Sequence, residues 1–239
     1  MKRIAILGAG FAGLSCAYHL TKKGYQVTVL EKDDQPGGLA IGFKEKDWEW
    51  SLEKHYHHFF TNDFELINTA CEIGLSSSLI FPKSLTSIYT PGVKVGLHPR
   101  KKVVGQIYPF NTPGQILTFK PLNFLNRLRL GLVTVLLKLL PMDLGIKLEK
   151  FTAFDFAKKL FGTEVFNIIW KPLLESKFGP PAGGYADKVN AGWLWARIKK
   201  RTLRLGYVNG GFQTISDKLA QKIQEQGGKI FFNSEIKQI

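Results

Sequence analysis

At 239 residues, with 44% apolar and 22% charged side chains, the chain can bury a sizeable core in one large or two small domains, which excludes a disordered tail and a disulfide-stapled miniprotein. Its two cysteines, Cys16 and Cys71, form no CxxC pair, so neither a metal knuckle nor a disulfide framework is available and a reducing, cytoplasmic compartment is expected. The net charge of +14 is uneven: residues 1–82 carry 8 basic and 10 acidic groups, residues 83–150 carry 11 and 2, and residues 151–239 carry 14 and 7. Such a field attracts nucleic acid, anionic lipid or an acidic ligand without choosing among them.

In chain order, the first signal has two readings. Met1-Lys2-Arg3 ahead of IAILGAGFAGLSCA has the layout of a secretory signal, and only the residues that follow separate it from a nucleotide fold. Lys2 to Leu7 is a short apolar strand with β-branched Ile4 and Ile6, and GAGFAG supplies Gly8, Gly10 and Gly13. Phe11 to Lys23 has the helical stripe Leu14, Ala17, Tyr18 and Leu20, Gly24 stops it, and Gln26 to Leu30 is a second strand ending at Glu31. Strand, G-x-G-x-x-G, helix, strand and acid, in that order, form the dinucleotide fingerprint and outweigh the signal-peptide reading. Gly8 permits the tight turn, Gly10 admits a pyrophosphate against the backbone, and Gly13 lets helix and strand approach. The phosphates would rest on free N–H groups at the helix's positive end. Glu31 can accept hydrogen bonds from both hydroxyls of a ribose.

NAD and FAD share the ADP half, so the fingerprint does not choose between them. Gln35-Pro36-Gly37-Gly38-Leu39 follows Glu31 closely, and a glycine pair there offers bare backbone to an extended ligand, the alternative being an ordinary turn. The stretch from Gly8 to Leu39 resembles the opening of the FAD-dependent amine oxidase superfamily, which includes protoporphyrinogen oxidases, phytoene-type desaturases and, more distantly, UDP-galactopyranose mutases. LEKHYHHFFTND, Leu52 to Asp63, is similar to the segment that carries a His near the flavin in the desaturase-like branch. GQIYPFNTP, IIWKPLLESKFG, AGWLWARI and LGYVNGGFQTISDKLA resemble later landmarks of bacterial protoporphyrinogen-oxidase-like flavoproteins.

The resemblance implies an α/β, Rossmann-like FAD/NAD(P)-binding domain with an inserted, mainly helical substrate domain. It places FAD phosphates at Gly8, Gly10, Phe11, Ala12 and Gly13, the adenosine ribose at Glu31 beside Lys32, and the pyrophosphate-to-ribityl path at Gly38 and Leu39. Many relatives have Arg where this chain has Leu39. Ile236 corresponds to an apolar residue on a last strand whose backbone meets the adenine. Relatives are considerably longer, with a C-terminal part that contacts the flavin side of FAD, so a truncated chain or a separate chain supplying that part is expected.

The helical stretch Phe64 to Ile73 stops at Gly74, and the turn of charge near Lys83 marks the exit from the nucleotide domain. The expected parts are 1–82, the first part of the FAD-binding domain; 83–205, the substrate domain; and 206–239, the return. Residues 90–104 do not match the relatives and read as an inserted, exposed basic loop or a sequence irregularity. Residues 123–140 form a helix whose polar positions Asn123, Arg127, Gly131, Thr134 and Lys138 line a narrow stripe. Its longest uncharged run, Leu130 to Leu137, is too short to span a bilayer. It reads as a core helix, or as one lining a lipophilic channel or dipping into an anionic membrane face. Arg197, Lys199, Lys200, Arg201 and Arg204 follow Trp193 and Trp195, but no nucleic-acid-binding motif accompanies them, so a solvated face or membrane-facing rim is expected and nucleic acid is not. From Gly206 a glycine pair opens a helix with Phe212, Ile215, Leu219 and Ile223 on one face, and KIFFN with IKQI reads as strand and turn.

His55, His57 and His58 cluster. His57 beside the flavin, packing within a loop, and metal ligation are all open readings, though no Cys or acid stands at a ligand spacing and no metal site is expected. The catalytic residue is not identified. The leading expectation is an FAD-dependent oxidoreductase taking a hydride from a lipophilic or amine small-molecule substrate, peripheral to the inner face of the cell membrane or free of it. The alternatives are a flavin-dependent isomerase similar to the UDP-galactopyranose mutases and a cofactor-poor fragment or binding protein.

Overall fold

A computed structural model describes residues 2–90 and 105–238, so most of the segment 90–104 singled out above lies outside the described residues. The chain forms two compact units, one of Met1–Lys83 with Arg204–Ile239 and the other of Ser84–Leu203. The sequence reading has its exit after residue 82 and its return at 206.

The first unit opens with β1 (Arg3–Leu7), α1 (Phe11–Lys22) and β2 (Gln26–Leu30). β1 and β2 are parallel with Ile6 opposite Val29. Val27 and Val29 are buried beneath α1, whose Leu14, Ala17 and Tyr18 face them. Gly24, at φ +81°, closes α1: its N–H donates to the Thr21 carbonyl at 2.9 Å, and the next N–H, of Tyr25, reaches the Leu20 carbonyl at 3.2 Å. Two short strands, β3 (Gly42–Phe43) and β4 (Leu52–Glu53), pair antiparallel; β5 (Phe59–Phe60), α2 (Phe64–Glu72) and β6 (Leu79–Ile80) follow.

The second unit begins with β7 (Ser87–Thr90) and β8 (Gln106–Pro109), an antiparallel pair, and continues through α3 (Pro113–Leu117), α4 (Phe124–Leu139), α5 (Leu144–Leu148), α6 (Ala153–Phe161), α7 (Thr163–Val165), α8 (Lys171–Phe178) and α9 (Ala191–Lys200). Helix starts are written in the sequence: the side chains of Asn123, Thr152 and Asn190 each accept an N–H three residues on. The core gathers Phe119, Phe161, Leu174, Leu194 and Trp195. Trp195, 1% exposed, donates its indole N–H to the Leu137 carbonyl at 2.9 Å and so ties α9 to α4. Its ring also presses on α5, where a β-carbon on Gly145 would lie 2.7 Å from it. Arg197 lies over the Trp193 ring at 5.4 Å and Lys199 over the Trp195 ring at 5.7 Å, so the interleaved cations and aromatics of the basic run are engaged with one another.

The ends of this unit lie side by side, the Ser84 N–H donating to the Leu203 carbonyl at 3.1 Å, and in the first unit Lys83 and Arg204 form a bridge pair. β9 (Leu205–Val208) then pairs antiparallel with β5 and with β6. α10 (Gln213–Glu225) buries Ile215, Leu219 and Ile223 against α1, and β10 (Lys229–Phe231) joins β2 in parallel, giving the order β1-β2-β10. The returning strand is shorter than expected. Phe231 is its last residue, Asn233 turns the chain at φ +52°, and Ile236 lies beyond it in irregular structure. Among the described residues no helix is long and apolar enough to cross a membrane.

Because Trp195 joins three helices, Trp195→Phe should cost about 1–3 kcal/mol through the unpaired Leu137 carbonyl and the vacated volume. Trp195→Ala should cost about 3–5 kcal/mol, both read as changes in the denaturant midpoint.

Candidate functional site

The glycine loop between β1 and α1 is built as tightly as its sequence demands. Gly8 sits at φ +92° and donates its N–H to the Leu30 carbonyl at 2.8 Å, prolonging the sheet by one bond. A β-carbon on Gly13 would lie 2.0 Å from the Gly8 carbonyl oxygen, so helix and loop touch backbone to backbone. Gly10 is the N-cap of α1; no side chain caps the helix and no acid stands in its first turn, which leaves its leading N–H groups, from Phe11, Ala12 and Gly13, to a ligand.

The second glycine pair is folded against the first. Gly37, at φ +135°, donates its N–H to the Ala9 carbonyl at 2.9 Å, and Gly10 and Gly37 form a parallel bridge pair. Gly38, at φ +59°, approaches so closely that a β-carbon on it would lie 3.1 Å from the Gly10 Cα. Two loops separated by an entire helix and strand thus form one cradle of bare backbone, with Leu39 exposed beside it. Gln213, the first residue of α10, holds the cradle from behind: its amide nitrogen donates to the Pro36 carbonyl at 2.8 Å and its amide oxygen accepts the Gly42 N–H at 3.0 Å.

Glu31, 5% exposed, is the acid at the end of β2. One carboxylate oxygen accepts the Ala9 N–H at 2.5 Å and the other the Asp33 N–H at 3.0 Å. Each oxygen keeps a lone pair, so two further donors can be accommodated. Lys32 beside it is exposed. The chain running against this corner is Phe231 to Ser234: the Phe231 carbonyl accepts the Glu31 N–H at 2.8 Å and the Ser234 N–H donates to the Glu31 carbonyl at 2.8 Å. Ile236 is 44% exposed and makes none of these contacts.

Next to the glycine loop lies an aromatic cluster around Phe212, which is buried. Its ring meets Phe11 at 6.0 Å, Phe59 at 6.1 Å, Tyr207 at 5.4 Å and His57 at 5.6 Å between centroids. His57 is half-buried, with its Nδ1 2.5 Å from the His55 carbonyl oxygen. Beneath the cluster Glu53, 7% exposed, accepts the Tyr207 hydroxyl at 2.7 Å and the Phe212 N–H at 2.5 Å. Burial, and then the hydrogen bond to Glu53, push the Tyr207 phenol well above its ordinary pKa. Among the described residues no group of three or more His, Cys, Asp or Glu could hold a metal ion.

The structure therefore joins Gly8, Gly10, Phe11, Gly13, Gly38 and Glu31 around one loop, connects His57 to them through Phe212, and leaves Ile236 apart. Gln213, Glu53 and Tyr207 escaped the sequence reading, because their partners lie more than 150 residues away and no local spacing joins them. The glycine pair before Phe212 was the one local sign of that region.

The sequence pattern of a family described as "Flavin containing amine oxidoreductase" matches residues 11–239. The chain is 23% identical over 248 residues to the 15-cis-phytoene desaturase of Synechococcus elongatus, covering 99% of this chain and 50% of the desaturase. It is 53% identical over 51 residues to the L-amino-acid oxidase of Crotalus adamanteus, covering 21% of this chain and 10% of that enzyme. The crystal structure of an oxidoreductase from Methanosarcina mazei superposes with a TM-score of 0.67 at 19% identity, covering 98% of this chain and 51% of that one. At full coverage, then, the chain spans about half the length of the proteins it resembles.

The two glycines of the loop should separate folding from binding. Gly13→Ala drives a methyl into the Gly8 carbonyl and should lower stability by about 1–3 kcal/mol or more. Gly10, at φ −72° and ψ 175°, has room for a β-carbon, its nearest neighbour being Gly38 Cα at 3.8 Å, so Gly10→Val should melt like the parent and bind no nucleotide in a titration. Tyr207 supplies a pH test. The folded state holds its phenol protonated past the ordinary 10.0, so the stabilisation is complete below that pH and lost as pH rises beyond it. Tyr207→Phe should cost about 1–3 kcal/mol at neutral pH and flatten the alkaline limb of the stability profile.

Proposed function

The chain belongs to the flavin-containing amine oxidoreductase family, and on that premise we propose that it is the cofactor-binding portion of an FAD-dependent oxidoreductase acting on a lipophilic or amine small molecule. The cofactor is FAD. When bound, it supplies the acceptor for a hydride equivalent; the chain's own residues bind it, orient it and exclude water.

The cradle formed by Gly8, Gly10, Gly13, Gly37 and Gly38 carries this reading, since it offers backbone N–H groups and no β-carbon along a path long enough for a pyrophosphate and the chain that continues from it. Glu31 takes the adenosine ribose on its remaining lone pairs, with Lys32 at the rim. Gly38 and Leu39 flank the ribityl path; the absence of a cation at Leu39 leaves the phosphates to the helix terminus and the amides. The Phe212 cluster presents His57 toward the flavin end and keeps that end dry. Ser84–Leu203, with its seven helices among the described residues, is the substrate-binding part.

The chain as purified should release FAD on denaturation and, reconstituted with FAD, show a flavin spectrum; release of a nicotinamide nucleotide from the chain as purified, or no flavin spectrum after reconstitution, would overturn the assignment. Within the site, Glu31→Ala removes two ribose bonds and unties Ala9, so FAD affinity should fall by roughly one to several orders of magnitude while the visible spectrum of the residual bound flavin is unchanged. His57→Ala should do the reverse, leaving affinity nearly intact and shifting the spectrum or reduction potential. A His57→Ala protein identical to the parent in both would assign the histidine to loop packing.

A further inference from the structure

Helix α4 has two apolar faces. Leu130 and Leu137, at 2% and 4% exposure, point into the core of their unit. Leu125, Leu128, Leu132, Val135 and Leu139, spaced 3, 4, 3 and 4, form a second row on the opposite side and are 44% to 75% exposed. Met142 and Ile146 prolong the row into α5, both more than half exposed. The helix, read from its sequence as core or as facing a channel or membrane, is thus core on one side only, and the polar stripe seen in its sequence lies between a buried and an exposed apolar face.

Within α4 no charged side chain falls in the exposed row, though the exposed Asp143 stands between Met142 and Ile146, and all three cations of the helix donate to backbone carbonyls of their own unit. Arg127 donates to the Leu122 and Leu117 carbonyls at 2.7 and 2.9 Å, Arg129 to those of Leu160 and Lys159 at 2.7 and 2.8 Å, and Lys138 to that of Arg201 at 3.0 Å. At the C-terminal end of α4 Lys138 joins a cluster with Lys199 and Arg201. Lys199 donates to the carbonyls of Lys138 and Leu140, and Arg201 donates to the Thr86 hydroxyl at 2.6 Å. Among the described residues Lys138, Lys199 and Arg201 pair with no carboxylate. Burial, with Arg201 and Lys199 beside it, lowers the Lys138 pKa, the signature of cations gathered without an anion.

An apolar row that ends in a group of unneutralised cations has the chemistry of a bilayer surface, where acyl chains lie a few ångströms beneath phosphates. We propose that this face docks the protein on an anionic lipid membrane, with the Leu125–Ile146 row entering the acyl boundary and Lys138, Lys199 and Arg201 meeting the headgroups. The surrounding segment favours this partner, since residues 83–150 hold 11 basic and 2 acidic groups and repel any other cationic surface. With 16 residues, α4 is about 24 Å long, short of the roughly 30 Å hydrocarbon core, so it lies in the interface rather than across it.

The test is sedimentation of the full chain with vesicles of phosphatidylcholine alone and of phosphatidylcholine containing phosphatidylglycerol. Binding is expected to the anionic vesicles only and to weaken in raised salt. Leu125→Gln, Leu132→Gln and Leu139→Gln together should reduce the partition coefficient roughly tenfold or more, while a control carrying Leu85→Gln and Leu203→Gln, exposed apolar residues of the same unit outside the row, should bind like the parent. Charge is probed through salt rather than by reversing Arg127 or Lys138, since an acid there would face the carbonyls those cations now satisfy. Absence of sedimentation, equal loss in the control, or binding indifferent to lipid charge would each overturn the proposal. So would a dimer on gel filtration that the triple variant dissolves, which would make the row a protein interface.

Discussion

Ala9 is fully buried between the two glycine loops, and both of its backbone polar groups are committed: the N–H to the carboxylate of Glu31, the carbonyl to the N–H of Gly37. A buried peptide must be satisfied on both sides, and here the partners are the end of the second strand and the turn that follows it. That single constraint fixes where Glu31 stands relative to the first glycine loop, and brings Gly38 onto Gly10. Glu31 therefore has a structural task, and the ribose contact proposed for it would use the other lone pairs of the same carboxylate.

A second layer keeps this arrangement stiff. Gln213 clamps the turn at Pro36 and Gly42, and Glu53 anchors the residue before it, Phe212, together with Tyr207. A buried carboxylate accepting a hydroxyl and an amide is costly to disturb, because removing either donor leaves lone pairs without a partner in a medium that cannot replace it. The start of α10 is thereby registered against the glycine cradle, and the ring of Phe212 becomes the floor on which Phe11, Phe59 and His57 rest.

What the sequence disclosed follows the range of each interaction. Gly8, Gly10, Gly13 and Glu31 were legible because strand, loop, helix and strand are contiguous, so their spacing is a direct record of geometry. Gly37 and Gly38 were legible as bare backbone, but nothing local shows that they touch Gly10. Glu53, Tyr207 and Gln213 were invisible: each looks like an ordinary polar residue until chain closure brings its partner near. Ile236 was placed on a last strand by resemblance to the relatives, yet the positive φ of Asn233 ends the extended run after Phe231 and sends the chain back across Glu31. In α4 the periodicity was legible and the orientation was not, since two apolar faces separated by a polar stripe look alike until one of them is covered.

The adjacency of Ser84 and Leu203 has a topological consequence. An excursion of 120 residues whose two ends are joined by a hydrogen bond adds little to the closure entropy of its host, because that cost grows only with the logarithm of length. The first unit closes with Lys83 and Arg204 as the seam. Mutation in the excursion can then alter its helices, lengthen its loops or reshape its surface without shifting the corner where Ala9, Glu31 and Gly37 meet. A scaffold with that property can vary one unit while conserving the other.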